Sequence, residues 1–168
     1  VLVAGGSRGI GRAIAIGFAK AGAAVSVCAR GAEGLAPLQA EGVAHIRAAD
    51  LADPAQVAAW VSEAAAALGG VDVLVNNASG FGMGDSEEGW KRGLDVDVMA
   101  TVRASTAALA HLRASKGCIV NTTSISGLGP SVRTPAYAAV KALVINYTAS
   151  QAAALAKDGI RVNAIAPG

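Results

Sequence analysis

An open, doubly wound α/β sheet of parallel strands in the order 3-2-1-4-5-6, with helices on both faces, is the fold this chain predicts. Three observations point to it. Short β-branched runs alternate with longer alanine-rich segments, the pattern of parallel strands joined by crossover helices. Those runs are apolar at successive positions, as strands covered on both faces are. Chemistry-bearing residues stand just after each strand, at the carboxyl edge where such sheets bind ligands.

The strands are expected at "VLVA" (1–4), "AVSVCA" (24–29), "VAHIRAA" (43–49), "DVLVNN" (72–77), "CIVNTT" (118–123) and "IRVNAIA" (160–166). Helices are expected near 9–21, 32–40, 54–68, 87–114 and 135–157. No repeat or linker interrupts this alternation, so residues 1–168 read as one domain. A chain that opens inside a strand and stops at "APG", with no initiator methionine, reads as an excerpt incomplete at both ends.

Composition narrows the function classes. With 53% hydrophobic and 15% charged residues the chain buries a substantial core, and disorder is excluded. Aromatics make up only 4%, so the core is packed from small aliphatic side chains. Lys and Arg number 14 against 12 Asp and Glu, scattered from Arg8 to Arg161 without the basic stripe that nucleic acid requires. No apolar run reaches the roughly 18 residues of a membrane span, and no signal peptide opens the chain, so a cytoplasmic protein without a membrane partner is expected. Cys28 and Cys118 sit far apart in strand-like runs and read as buried reduced thiols; His45 and His111 are isolated and read as structural. No metal site is expected.

"AGGSRGIG" (4–11) follows the first strand and opens the first helix, the context a phosphate-binding loop requires. Gly5, Gly9 and Gly11 permit a tight turn, close backbone approach of a pyrophosphate and close helix-on-strand packing. With Ser7, Arg8 and Ile10 between them, they form the expected dinucleotide contacts of a Rossmann-type domain. The second strand ends "VCAR", offering Arg30 where an acid would bind a ribose 2'-hydroxyl. Arg8 supplies a second guanidinium, so NADP(H) is favoured and NAD(H) remains possible; the plainer reading makes both arginines solvated surface residues.

"PAYAAVKALVINY" (135–147) places Tyr137 and Lys141 one turn apart on an otherwise nearly apolar helix. Taken alone, the pair reads as two amphipathic side chains sending their tips to water. The chain as a whole is similar to the short-chain dehydrogenase/reductase family, in its classical branch. The matching stretches run in order: "GGSRGIG", "DLAD" at 50–53, "NNA" at 76–78, "IVNTTS" at 119–124, "YAAVK" at 137–141 and "RVNAIAPG" at 161–168.

That resemblance implies a ketone or aldehyde interconverted with an alcohol by hydride transfer. Tyr137 would be the general acid/base, Lys141 its activator and Ser124 the group that orients the carbonyl. Asp50 and the backbone of Leu51 would meet the adenine, Asn77 and Ala78 would line the cofactor, and Pro167 and Gly168 would back the nicotinamide. The expected partners are a small carbonyl or alcohol substrate and further copies of the chain, as a homodimer or homotetramer. The helix around 137–156 is apolar on nearly every face, which also points to assembly. The substrate pocket would draw on 79–85 and 125–134, where Phe81, Met83, Leu128 and Pro130 fit a moderately apolar ketone.

Three positions depart from the family. Ala4 replaces a threonine, and Ser79 stands where a glycine is usual and would take that glycine's backbone path. Asp97 aligns with the helix asparagine that helps a water connect the lysine to solvent. Two roles are open for Asp97: a carboxylate acting on Tyr137 through space, or one turned away to cap local backbone. The rival to an enzyme is a catalytically silent dinucleotide-binding sensor or scaffold of the same fold.

Overall fold

The computed structural model describes residues 1–168. Six short strands, β1 (Leu2–Ala4), β2 (Ser26–Ala29), β3 (His45–Ala48), β4 (Val73–Asn76), β5 (Cys118–Thr122) and β6 (Arg161–Ile165), form one sheet in the order β3-β2-β1-β4-β5-β6. Every neighbouring pair is parallel. The predicted order and architecture are therefore the observed ones. Strand ends differ by at most two residues, because terminal residues of the apolar runs turn out of the ladder.

Side-chain alternation along the central strands builds the core. Leu2, Ala4 and Leu74 join Trp60, Val61, Ala104, Leu112 and Ile119 in a cluster of 19 buried residues beneath α3 (Pro54–Leu68) and α5 (Ala100–Ser115). Val3 and Val75 point the other way, into a cluster with Val27, Leu35, Leu38 and Ala15 beneath α1 (Gly9–Lys20) and α2 (Ala36–Ala40). Because strand side chains alternate between faces, neighbouring apolar residues such as Leu74 and Val75 serve opposite layers. A buried polar chain also crosses the sheet. The Asn76 amide donates to Asn121 Oδ1 at 2.9 Å and to Ser105 Oγ at 3.3 Å, and the Asn121 amide donates to Thr148 Oγ1 at 2.9 Å. It ties β4 and β5 to α5 and to α6 (Pro135–Leu155).

Two helices differ from expectation. The one predicted from 32 begins only at Ala36, after the turn through Gly31 and Gly34, with Pro37 in its first turn where a missing N–H is harmless. The long helix predicted over 87–114 is divided into α4 (Glu87–Arg92), a π-helical segment Gly93–Met99, and α5. The wider π turn turns the Asp97 side chain inward, and the Thr101 hydroxyl donates to the Asp97 carbonyl at 2.8 Å. π segments commonly mark functional positions. Cys28 is fully buried as expected, whereas Cys118, at the start of β5, is only half-buried. His45 faces the Ser26 hydroxyl at 2.9 Å, and that hydroxyl accepts from the Trp60 indole, which fits a structural role.

Burial pushes the Cys28 thiol far above the ordinary cysteine range. A maleimide applied to the native protein should therefore leave Cys28 unmodified until denaturant is added, as read by peptide mass spectrometry. A second prediction concerns Asp53, which caps α3. Its carboxylate accepts from the Gln56 side chain at 2.9 Å and from Ala55 N–H at 2.8 Å, holding its pKa below the usual carboxylate value. A depressed folded pKa stabilises above the unfolded value of about 3.9, and that contribution is lost as pH falls through the folded one. Asp53→Ala should thus lower the thermal midpoint at neutral pH, with the difference closing below about pH 4.

Candidate active site

The carboxyl ends of β1, β2, β4 and β5 open on one cleft of about 870 Å³, within the range of small-molecule and cofactor sites. Its floor is the turn from β1 into α1. Gly5 has φ +77, and a Cβ there would lie 2.7 Å from the Ala78 Cα, so this turn and the end of β4 approach to a distance only glycine allows. Gly11 packs behind it: a Cβ would lie 2.3 Å from the Gly5 carbonyl oxygen and 2.4 Å from Asn77 Nδ2. The Asn77 amide donates to that same carbonyl at 2.9 Å and clasps the loop to β4. No side chain caps the first turn of α1, whose N–H groups are left for an anion.

Of the residues expected to contact a dinucleotide, Gly5, Ser7, Arg8, Gly9, Ile10, Arg30, Asp50, Leu51, Asn77, Ala78, Tyr137, Lys141, Pro167 and Gly168 all line the cleft. Gly11 does not; its part is the close packing just described. Leu51 is 4% exposed, and its side chain belongs to the core. The Asp50 carboxylate accepts from Ala52 N–H at 3.0 Å, closing the turn that follows β3. Arg8 and Arg30 are exposed on the wall nearest the end of β2. Glu33 lines that wall too. The sequence did not mark it, because it lies four residues past the end of β2 in a turn whose path the sequence leaves open.

At the other end of the cleft stand Ser124, Tyr137 and Lys141. Ser124 Oγ accepts from Ser126 N–H at 3.1 Å, which leaves its own hydrogen free to donate. The short 3₁₀ turn after it, Ile125–Leu128, lies against α6 because Gly127 carries no side chain: a Cβ would sit 2.8 Å from the Ala142 nitrogen. That contact, unmarked in the sequence, seats Ser124 beside the helix of Tyr137. Lys141 Nζ donates to the Thr122 carbonyl at 2.9 Å and lies 5.6 Å from the centre of the Tyr137 ring.

Asp97 is the second expected site residue that does not line the cleft. Its side chain is 0% exposed, with Oδ1 2.9 Å from Lys141 Nζ and Oδ2 accepting from Gly80 N–H at 2.8 Å. The backbone group it caps is not local but seventeen residues away in sequence, and the charged side chain beside it is the lysine. Ser79 takes its backbone path without a positive φ. Its hydroxyl accepts from Phe81 N–H at 3.1 Å, and Phe81 takes the positive φ, +48, two residues later. Phe81 lines the cleft, whereas Met83, Leu128 and Pro130 do not. No helix is long and apolar enough to cross a membrane, and no three His, Cys, Asp or Glu side chains are grouped to hold a metal ion.

The whole chain, residues 1–168, matches the family model described as short chain dehydrogenase. It is 36% identical to the meso-2,3-butanediol dehydrogenase of Serratia marcescens over 99% of its own length and 69% of that protein's. It is also 36% identical to a 3-oxoacyl-(acyl-carrier-protein) reductase of Staphylococcus aureus, over 99% and 72%. Among solved structures it is similar to a short-chain dehydrogenase/reductase of unknown function from Caenorhabditis elegans with cofactor. There the TM-score is 0.91 and the identity 34%, covering 99% of this chain and 68% of the other.

Gly11→Ala should destabilise the protein by about 1–3 kcal/mol, because the methyl must displace backbone. In the same helix Gly17 is exposed and would meet nothing within 4 Å, so Gly17→Ala should stabilise by about 0.5–1 kcal/mol. Urea unfolding of the two variants checks the opposite signs.

Proposed function

Because the chain belongs to the short-chain dehydrogenase/reductase family, whose members use a nicotinamide dinucleotide on small alcohols or carbonyls, we propose that its cleft interconverts a ketone or aldehyde with the corresponding alcohol. The observation that carries this reading is the meeting of the β1–α1 glycine loop with Ser124, Tyr137 and Lys141 in one cleft, from positions more than a hundred residues apart. The cleft fits the dinucleotide: the side-chain-free backbone at Gly5, the uncapped first turn of α1 and the open volume suit a pyrophosphate.

When bound there, a nicotinamide would supply or accept the hydride. Ser124 holds the carbonyl oxygen as negative charge develops on it, through the hydroxyl hydrogen that Ser126 leaves free. Tyr137 passes its phenolic proton to that oxygen in reduction and takes it back in oxidation. Lys141, anchored by the Thr122 carbonyl, presents its positive charge beside the phenol and reaches the cleft wall where the ribose of the cofactor would lie. Phe81 gives the substrate end an apolar wall. A silent dinucleotide sensor is the second reading; the carboxylate of Asp97 against Lys141 favours it, since it offsets the ammonium that Tyr137 relies on.

Arg8 and Arg30 support NADP(H) over NAD(H), with Glu33 as an opposing charge on the same wall. NADPH should bind at least tenfold tighter than NADH, about 1.4 kcal/mol. Arg30→Asp should remove that preference and Glu33→Gln should widen it, in paired fluorescence titrations. Tyr137→Phe should reduce turnover of a carbonyl panel below a tenth while leaving NADPH affinity within a few-fold. Turnover above a tenth, with affinity unchanged, would assign the proton to another group.

Ala139, Ala142, Leu143, Asn146, Ala149 and Ala153 leave one side of α6 exposed and nearly free of charge. This supports assembly of copies of the chain through that face, as a dimer or tetramer. Light scattering of the full-length protein at micromolar concentration should give a multiple of the monomer mass, and Leu143→Glu should reduce it.

A further inference from the structure

Five of the six ion pairs in the chain have at least one partly solvated partner. The sixth, Lys141 with Asp97, is sealed: the two side chains are 3% and 0% exposed. It is also poorly aligned. Lys141 directs its hydrogen bond at the Thr122 carbonyl, and Asp97 Oδ1 lies 2.9 Å from the ammonium with no aligned donor. A buried pair with an unsatisfied oxygen adds little to stability as a pair, although removing either partner strands the other's charge. Its position is what distinguishes it. The second oxygen of the same carboxylate accepts from Gly80 N–H, one residue before the Phe81 that walls the cleft.

We propose that Asp97 is a positioning residue, the counter-ion of Lys141, whose carboxylate ties that ammonium to the Gly80–Phe81 wall so that lysine and wall hold one geometry. The role rests on the reading of Lys141 as part of a dinucleotide cleft. Asp97 reaches the cleft only through these two contacts, because its own side chain is buried behind it. The π-helical turn is what sets it there, with the Thr101 hydroxyl holding its carbonyl. An asparagine at this position would keep the shape and one contact. Its carbonyl oxygen can accept from Gly80 N–H, which turns its NH₂ group towards the ammonium, donor against cation. Asp97→Asn therefore separates the lysine arm from the loop arm.

The test is a double-mutant cycle on the full-length protein: the parent, Asp97→Asn, Lys141→Met and the double variant. It is read first as thermal midpoints without cofactor and then as NADPH and NADH dissociation constants. Each single variant should lower the midpoint by on the order of 10 °C, and the double should recover most of that loss, since no charge is left stranded. Additive losses would overturn the counter-ion role. Where a single variant does not fold, a folded double supports the proposal and an unfolded double overturns it. Asp97→Asn should weaken dinucleotide binding at least fivefold when Lys141 is present and less than twofold when Met replaces it. A coupled thermal cycle with unchanged affinity in Asp97→Asn would reduce the pair to a structural one and overturn the positioning role. A parent protein that binds neither dinucleotide would instead overturn the reading of the cleft, and the positioning role with it, whatever the thermal cycle shows.

Discussion

The site is organised around the burial of one ammonium. Lys141 lies at 2% exposure where β5, α6 and the π-helical segment meet, and a charge there is tolerated only with acceptors to hand. The fold supplies them from two directions: the Thr122 carbonyl at the end of β5 and the Asp97 carboxylate from the π turn. Each element that supplies one also carries another part of the cleft. β5 runs on into Ser124, the π turn grips the loop of Phe81, and α6 carries Tyr137 one turn before the lysine.

The sheet explains why distant parts of the chain meet there. Parallel strands all end on the same edge, so the turns after β1, β2, β4 and β5 are neighbours whatever their separation in sequence. Packing at that edge is set by backbone meeting backbone. Gly5 against Ala78 and Gly11 against the Gly5 carbonyl close one end, and Gly127 against α6 closes the other. A side chain at any of these would push a functional group out of line before it touched a ligand. The cleft is thus shaped by what is missing from the glycines as much as by the polar side chains that line it.

Much of this was legible in the sequence, for physical reasons. Runs such as "DVLVNN" are apolar at successive positions because Leu74 and Val75 enter opposite layers, and that doubly buried pattern implies a parallel sheet and its ligand-binding edge. Tyr137 and Lys141 stood out because a phenol and an ammonium interrupt an apolar helix. The π turn was not legible, since nothing local in "GLDVDVM" distinguishes it from an α-helix, and the partners of its Asp97 side chain, Gly80 and Lys141, lie far away in sequence. For the same reason the direction of Asp97 could not be read, and Ser79 gave no sign that Phe81 would take the positive φ. Glu33 was missed because its place depends on the path of an irregular turn.

Whether one cleft brings a nicotinamide and a carbonyl together for direct hydride transfer can be read from an isotope. The full-length protein would be given NADPH carrying deuterium on each face of C4 in turn. The carbonyl panel would include a vicinal diketone and a 3-oxoacyl thioester, chosen because relatives of this chain are named for such compounds or their alcohols. The expected product is an alcohol with one deuterium on the former carbonyl carbon, from one labelled face only and undiluted by solvent. Cofactor that binds but leaves no deuterium in any product would contradict it.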